Sequence, residues 1–210
     1  MKLIRTFVKE IESNAEKLMK VSRRKWLLSV VEDRLQDNPN ILELGVGSGV
    51  IPYYLHKKGY GFFYMGLDKK VRQLKISAKL FKKNNMKNAH STYCDFDGEL
   101  FIQSTFDQVW FVGGWVRGFT ATYDHVFKEA HRVLKPDGLF IFDAPGMDEI
   151  REKYYHRRLS RKDIDYLLKN LFTIVSIEQY ERKGIEERKQ GTDERTDETY
   201  HYWGVVCKKI

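Results

Sequence analysis

A chain of 210 residues, 42% hydrophobic and 14% aromatic, is long and apolar enough for one domain with a sizeable core, and this excludes a disordered chain. Only two cysteines occur, Cys94 and Cys207, too few for a disulfide framework or a cysteine metal site, and a charge interrupts the N-terminal run every few residues. With neither leader nor apolar span in view, a reducing cytoplasmic setting is expected, while a formal net charge of +8 keeps phosphate-bearing partners open.

Residues 1 to about 36 read as two helices, one with Leu3, Phe7 and Ile11 on its apolar face, the other with Trp26, Leu27, Val30, Val31 and Leu35. Ser22 is the candidate N-cap between them, and Asn38-Pro39-Asn40 breaks the chain before the first strand. That strand, Ile41-Leu-Glu-Leu, runs into a turn with glycine at alternate positions, Gly45, Gly47 and Gly49. Glycine takes positive φ at little cost, and a glycine turn between strand and helix offers backbone N–H groups to a ligand. The run Gly61–Asp68 reads as a buried strand ending in a carboxylate, about 20 residues beyond the turn, where nucleotide folds place a ribose-binding acid.

Lysines and arginines then crowd residues 69–87. They form either a phosphate-holding stripe or a solvated helix face opposite Val71, Leu74, Ala78 and Phe81; with no aromatic residues interleaved, the solvated face is the preferred reading. A third strand, His90–Cys94, ends at Asp95, and a fourth, Phe106–Val112, ends at Gly113-Gly114. The helix end Glu129–Gly138 precedes a fifth strand, Leu139–Asp143. A helical region is expected at about 146–170, then strands at Phe172–Tyr180 and Tyr200–Lys208 with the polar stretch Glu181–Glu198 between them. Strands alternating with helices imply a parallel sheet, and two final strands without a helix between them imply an antiparallel hairpin.

The pattern Glu43-x-Gly45-x-Gly47-x-Gly49, the acids Asp68 and Asp95, the fourth strand's Gly113-Gly114 and the helix end Glu129-Ala-x-Arg-Val-Leu-Lys-Pro-x-Gly138 occur in one order. In that order they resemble the class I S-adenosylmethionine-dependent methyltransferases, over roughly residues 40 to 145. The resemblance implies an α/β, doubly wound, mostly parallel seven-stranded sheet with an antiparallel C-terminal hairpin and added N-terminal helices. A single domain is expected, with a helical cap at 1–38, a cofactor-binding half at 39–145 and a substrate-side half at 146–210.

It also implies S-adenosylmethionine as cofactor and a set of roles. Gly45, Gly47 and Gly49 would lie against the methionine portion, with Glu43 favouring its amino group. Asp68 would accept from the ribose hydroxyls and Asp95 from the adenine amine, with Cys94 and Phe96 beside the ring and Lys69 flanking it. Val112 and Gly113 complete the cofactor set. Plainer roles stand beside these: the glycines can serve packing alone, and Asp68 and Asp95 can cap the helices that follow them.

Transfer from a sulfonium needs a general base only where the nucleophile must lose a proton, so catalytic residues stay unassigned. The fourth strand ends Val-Gly-Gly-Trp-Val-Arg, without the Asn/Asp-Pro-Pro-Tyr signature of enzymes that methylate exocyclic base amines. Asp143-Ala-Pro-Gly146 resembles that signature faintly but follows the fifth strand, and it is set aside. Substrate-side candidates are Trp115, Arg117, Tyr154, Tyr155 and His156, with His156 the best-placed base, though a surface histidine reading competes. His131 reads as structural, and the cluster Tyr200–Trp203 as core packing with surface alternation. The N-terminal helices and the 181–198 stretch are read as a lid. A small-molecule acceptor is preferred over RNA or protein; a nicotinamide-dependent oxidoreductase and a non-catalytic binding protein are the other readings weighed, with no membrane partner expected.

Overall fold

The computed structural model describes residues 2–20, 22–35, 38–95, 103–113, 123–146, 159–183 and 199–210. Two helices open the chain, α1 (Lys2–Met19) and α2 (Ser22–Val31), followed by a 3-10 turn at Glu32–Arg34. Then β1 (Asn40–Leu44), α3 (Val50–Lys57), β2 (Phe63–Asp68), α4 (Val71–Lys83) and β3 (Ala89–Tyr93) alternate. The second half supplies β4 (Phe106–Phe111), α5 (Tyr123–Val133), β5 (Leu134–Pro145), α6 (Arg161–Leu168), β6 (Phe172–Lys183) and β7 (Thr199–Lys209). The sheet order is β3-β2-β1-β4-β5-β7-β6, parallel except for β7, which runs antiparallel to both neighbours. This is the seven-stranded doubly wound sheet with a closing hairpin that the sequence implies.

Each sheet face carries its own core. On one, α1 to α4 pack Val8, Leu27, Val31, Leu55 and Leu80 against Ile41, Tyr64, Trp110, Ile141 and Val206. On the other, α5 and α6 pack Phe127, Val133 and Ile164 against Leu42, Val109, Phe140, Phe142 and Val205. Both layers are needed because strands covered on two faces read as continuous apolar runs. No helix of the described residues is long and apolar enough to cross a membrane.

Four details differ from the expectations. In α1 the buried stripe is Val8, Ile11, Ala15 and Met19, while Leu3 is exposed, because steps of three and four residues keep that stripe facing α3 and α4. In α4, Val71 and Ala78 are exposed and Ile76, Ser77, Leu80 and Phe81 are buried. The polar Ser77 disguises this face; its hydroxyl donates to the Leu74 carbonyl at 3.1 Å and shares a hydrogen bond with the Ser91 hydroxyl at 2.8 Å, for which the Ser91 O–H is then the donor. The fifth strand begins at Leu134, which pairs with Phe106, and the register shifts over Lys135–Gly138 before Leu139 pairs with Gln108. The hairpin is longer than expected, since Glu181–Lys183 stay in register with Thr199–His201. Of the helical region expected at 146–170, α6 occupies 161–168, started by a capping box in which Ser160 and Asp163 satisfy each other's backbone N–H groups. Residues 147–158 lie outside the described residues.

Candidate functional site

Strand order reverses between β1 and β4, and the carboxyl ends of β1, β2, β3 and β4 border this switch point, where open α/β sheets take their ligands. The turn 45–49 sits there with all three glycines at positive φ, 94° for Gly45, 55° for Gly47 and 75° for Gly49. The N–H groups of Gly45 and Val46 both donate to the Leu67 carbonyl, at 2.7 and 2.9 Å, tying the turn to the end of β2. The glycines differ in what they face. A methyl group on Gly49 would lie 2.7 Å from the Phe81 ring, so Gly49 is required by packing against α4. A methyl on Gly47 would meet nothing within 4 Å, so this position fronts open space.

Asp68 is buried and bridges two turns. One oxygen accepts from the Gly47 N–H at 2.9 Å, the other from the Lys70 N–H at 2.8 Å, just ahead of α4. The helix-start role weighed from the sequence is thus present, and a carboxylate has lone pairs left for a further donor. Glu43, at the end of β1, is only 2% exposed. Burial pushes its carboxyl up to about 8, against the opposing hydrogen bond from the Tyr64 hydroxyl and the charge of Arg24. Asp95 lies past the end of β3 with Lys69 3.8 Å away, and its Oδ1 is buried without a hydrogen-bond partner. Cys94 is half-buried next to it, its backbone N–H donating to the Asp68 carbonyl at 3.3 Å.

At the end of β4, Val112 is buried and Gly113, at φ 73°, donates its N–H to Asp143 Oδ1 at 2.6 Å. Asp143 ends the central part of β5 and is the hub of a cluster that sequence reasoning missed. Its Oδ2 accepts from the Tyr180 hydroxyl at 2.7 Å and lies 3.0 Å from Arg23 Nε. Tyr180 stacks between Trp26 and Tyr202, with ring centroids 5.7 Å apart on both sides. Burial, then the charge of Asp143, pushes the Tyr180 hydroxyl far above its ordinary range. The one sequence signal here was the tetrapeptide Asp143–Gly146, set aside for its position after the fifth strand. His131 packs edge-on against Phe172, a structural place, and Tyr202 is buried as expected. Phe96, Trp115, Arg117, Tyr154, Tyr155 and His156 lie outside the described residues, so the structure says nothing of them.

Glu43, Gly45, Gly47, Asp68, Lys69, Cys94, Asp95, Val112 and Gly113 therefore stand along one row of strand ends. The row suits a nucleoside linked to a cationic amino-acid end. Acids stand at three successive strand ends, one carries a buried oxygen that takes no hydrogen bond among the described residues, and an open glycine turn lies between them. Residues 41–138 match the sequence profile of the methyltransferase domain family.

The chain carries a methyltransferase domain.

Solved structures share this methyltransferase's fold at low identity. One is an S-adenosylmethionine-dependent methyltransferase from Methanosarcina mazei, 17% identical, with a TM-score of 0.68 over 86% of this chain and 97% of that one. Another, from Aquifex aeolicus, is 15% identical, with a TM-score of 0.64 over 94% and 98% of the two chains. The YcgJ protein of Bacillus subtilis is 12% identical, with a TM-score of 0.69 over 87% and 97%. No curated protein sequence matches the methyltransferase.

Proposed function

We propose that this methyltransferase holds S-adenosylmethionine along the ends of β1 to β4 and methylates a small molecule. The observation that carries the reading is the open Gly47 turn flanked by Glu43, Asp68 and Asp95 at three successive strand ends. When bound, the cofactor supplies a methyl group already activated on a sulfonium. The protein's part is then chiefly to align acceptor and methyl and to exclude water. Glu43 takes the amino group of the methionine end, against Gly45, Gly47 and Gly113. Asp68, already fixed by two backbone N–H groups, accepts from the ribose hydroxyls. Asp95 Oδ1, which takes no hydrogen bond among the described residues, accepts from the adenine amine, with Cys94 and the stem of Lys69 at the ring. Residues 39–145 form the cofactor half, 146–210 the substrate-side half, and 1–38 a cap over the sheet.

A small acceptor is favoured by that cap. Trp26 of α2 donates to Glu178 at 2.5 Å and stacks on Tyr180, while Arg23 reaches Asp143, so the sheet beside β5 is covered on this face. The basic charge of α4 turns partly inward, toward α1. Lys83 pairs with Glu12, and Arg72 lies over the Phe7 ring at 5.0 Å, which leaves less of that charge for RNA phosphates. Neither cysteine forms a disulfide, which accords with a reducing compartment. Labelled methyl donor incubated with the enzyme and fractionated cell extract tests the acceptor class. Label is expected in low-mass material resistant to nuclease and protease; label removed by nuclease would make the acceptor RNA.

A further inference from the structure

Arg23 stands at the start of α2, and none of the sequence motifs pointed to it. A methyl group on Gly113 would come within 2.0 Å of its Nη1 and 2.9 Å of its Cζ, so the guanidinium lies directly on the backbone at the carboxyl end of β4. Its plane is steered by Tyr202, whose ring centroid is 5.7 Å from Cζ. The next residue, Arg24, acts electrostatically on Glu43 at the end of β1.

Asp143 does not use up this guanidinium. That one carboxylate also serves the Gly113 N–H at 2.6 Å and the Tyr180 hydroxyl at 2.7 Å. Arg23 Nε lies 3.0 Å from Asp143 Oδ2, yet makes no aligned hydrogen bond, so the contact is an ion pair and not a two-point fork. A guanidinium carries five N–H donors in one plane, and here the carboxylate meets it at Nε. The side chain keeps 19% of its surface exposed, beside the carboxyl end of β4.

We propose that Arg23 binds a carboxylate, the outer edge of its guanidinium donating two parallel hydrogen bonds beside Gly113 at the end of β4. The inference rests on the methyltransferase reading, within which two molecules can bring a carboxylate to this place. One is the methionine end of the cofactor, and the other is an acceptor that is itself an acid. Asp143 and Tyr180 act as positioning residues, holding the guanidinium's inner side and neutralising part of its charge.

Two ligands separate the sources: S-adenosylhomocysteine, and 5′-methylthioadenosine, which keeps the nucleoside thioether and lacks the amino-acid end. Each is titrated by calorimetry into the wild-type protein, Arg23→Gln and Arg23→Lys, with folding checked by urea denaturation. If the carboxylate is the cofactor's, Arg23→Gln weakens S-adenosylhomocysteine by about 10- to 100-fold, Arg23→Lys does so less, and 5′-methylthioadenosine is unaffected. If it is the acceptor's, both nucleosides bind all three proteins alike. The Arg23 side-chain N–H resonances of the S-adenosylhomocysteine complex then shift saturably with acetate or benzoate, but not with the matching amides. The proposal is overturned if Arg23→Gln weakens both nucleosides equally, the mark of a merely structural tie, or if nothing weakens and no carboxylate moves those resonances. Wild-type protein that binds neither nucleoside removes the methyltransferase reading itself, a result distinct from a failure of Arg23 alone.

Discussion

Glu43 makes the stability of the ligand-free protein depend on pH in a direction opposite to that of most carboxylates. In the unfolded chain its carboxyl titrates near the ordinary 4.5, whereas in the fold burial pushes it up to about 8. Between these values the folded protein keeps a proton that the unfolded chain has released, so rising pH favours unfolding. Below the window both states hold the proton, and above it both have lost it and the cost is complete. At about 1.4 kcal/mol per unit, the full shift corresponds to a loss on the order of 5 kcal/mol between acidic and alkaline conditions. Urea denaturation followed by circular dichroism from pH 5 to pH 9, on wild type and Glu43→Gln, isolates this contribution, since the other titrating groups are shared. Glu43→Gln is expected to gain several kcal/mol relative to wild type as pH rises. The same group links to the cofactor: an ammonium beside Glu43 favours the carboxylate, so binding near pH 6.5, where the ligand's amine is already protonated, should release close to one proton, and this release should fall away as pH rises through 8. Calorimetry of S-adenosylhomocysteine in buffers of different ionisation enthalpy reads that number. Parallel stability curves for the two proteins, with no difference in proton release, would refute the reasoning.

Gly47→Ala places its methyl in open space. Its positive φ costs about 1–2 kcal/mol of stability, while affinity for S-adenosylhomocysteine should fall at least tenfold by titration. Gly49→Ala drives a methyl to 2.7 Å from the Phe81 ring at a positive φ, so thermal denaturation should show a loss of about 2–4 kcal/mol. Asp68→Asn keeps the shape but weakens the bonds to Gly47 and Lys70. It should cost about 1–2 kcal/mol in urea denaturation and reduce affinity for adenosine-bearing ligands more than tenfold; unchanged affinity would leave Asp68 a purely structural acid.

The fold was legible because its signals are local and periodic. Apolar runs ending in Glu43, Asp68 and Asp95 are strands that finish on one edge, and a final strand pair without a helix has to be antiparallel. Helix faces were less legible where polarity and burial part company: Ser77 is buried with its hydroxyl satisfied, so the apolar pattern of α4 found Leu74 and Phe81 on the inner face but misplaced Val71 and Ala78. The Arg23–Asp143–Tyr180 cluster was invisible for another reason. Its members lie 37 and more residues apart along the chain and meet only when α2 lies over β5, β6 and β7. Nothing in the local sequence of Arg23 distinguishes it from a surface arginine. Likewise the requirement for Gly49 comes from Phe81 on another helix, a packing role the turn allowed but whose partner it could not name.

Calorimetric titration of the folded 210-residue chain with S-adenosylhomocysteine, run beside NAD, tests the central claim most directly. Saturable binding of one nucleoside thioether per chain with no response to NAD is the expected result. A folded protein that takes up NAD, or gives no heat with S-adenosylhomocysteine, contradicts the cofactor site built on Glu43, Gly47, Asp68 and Asp95.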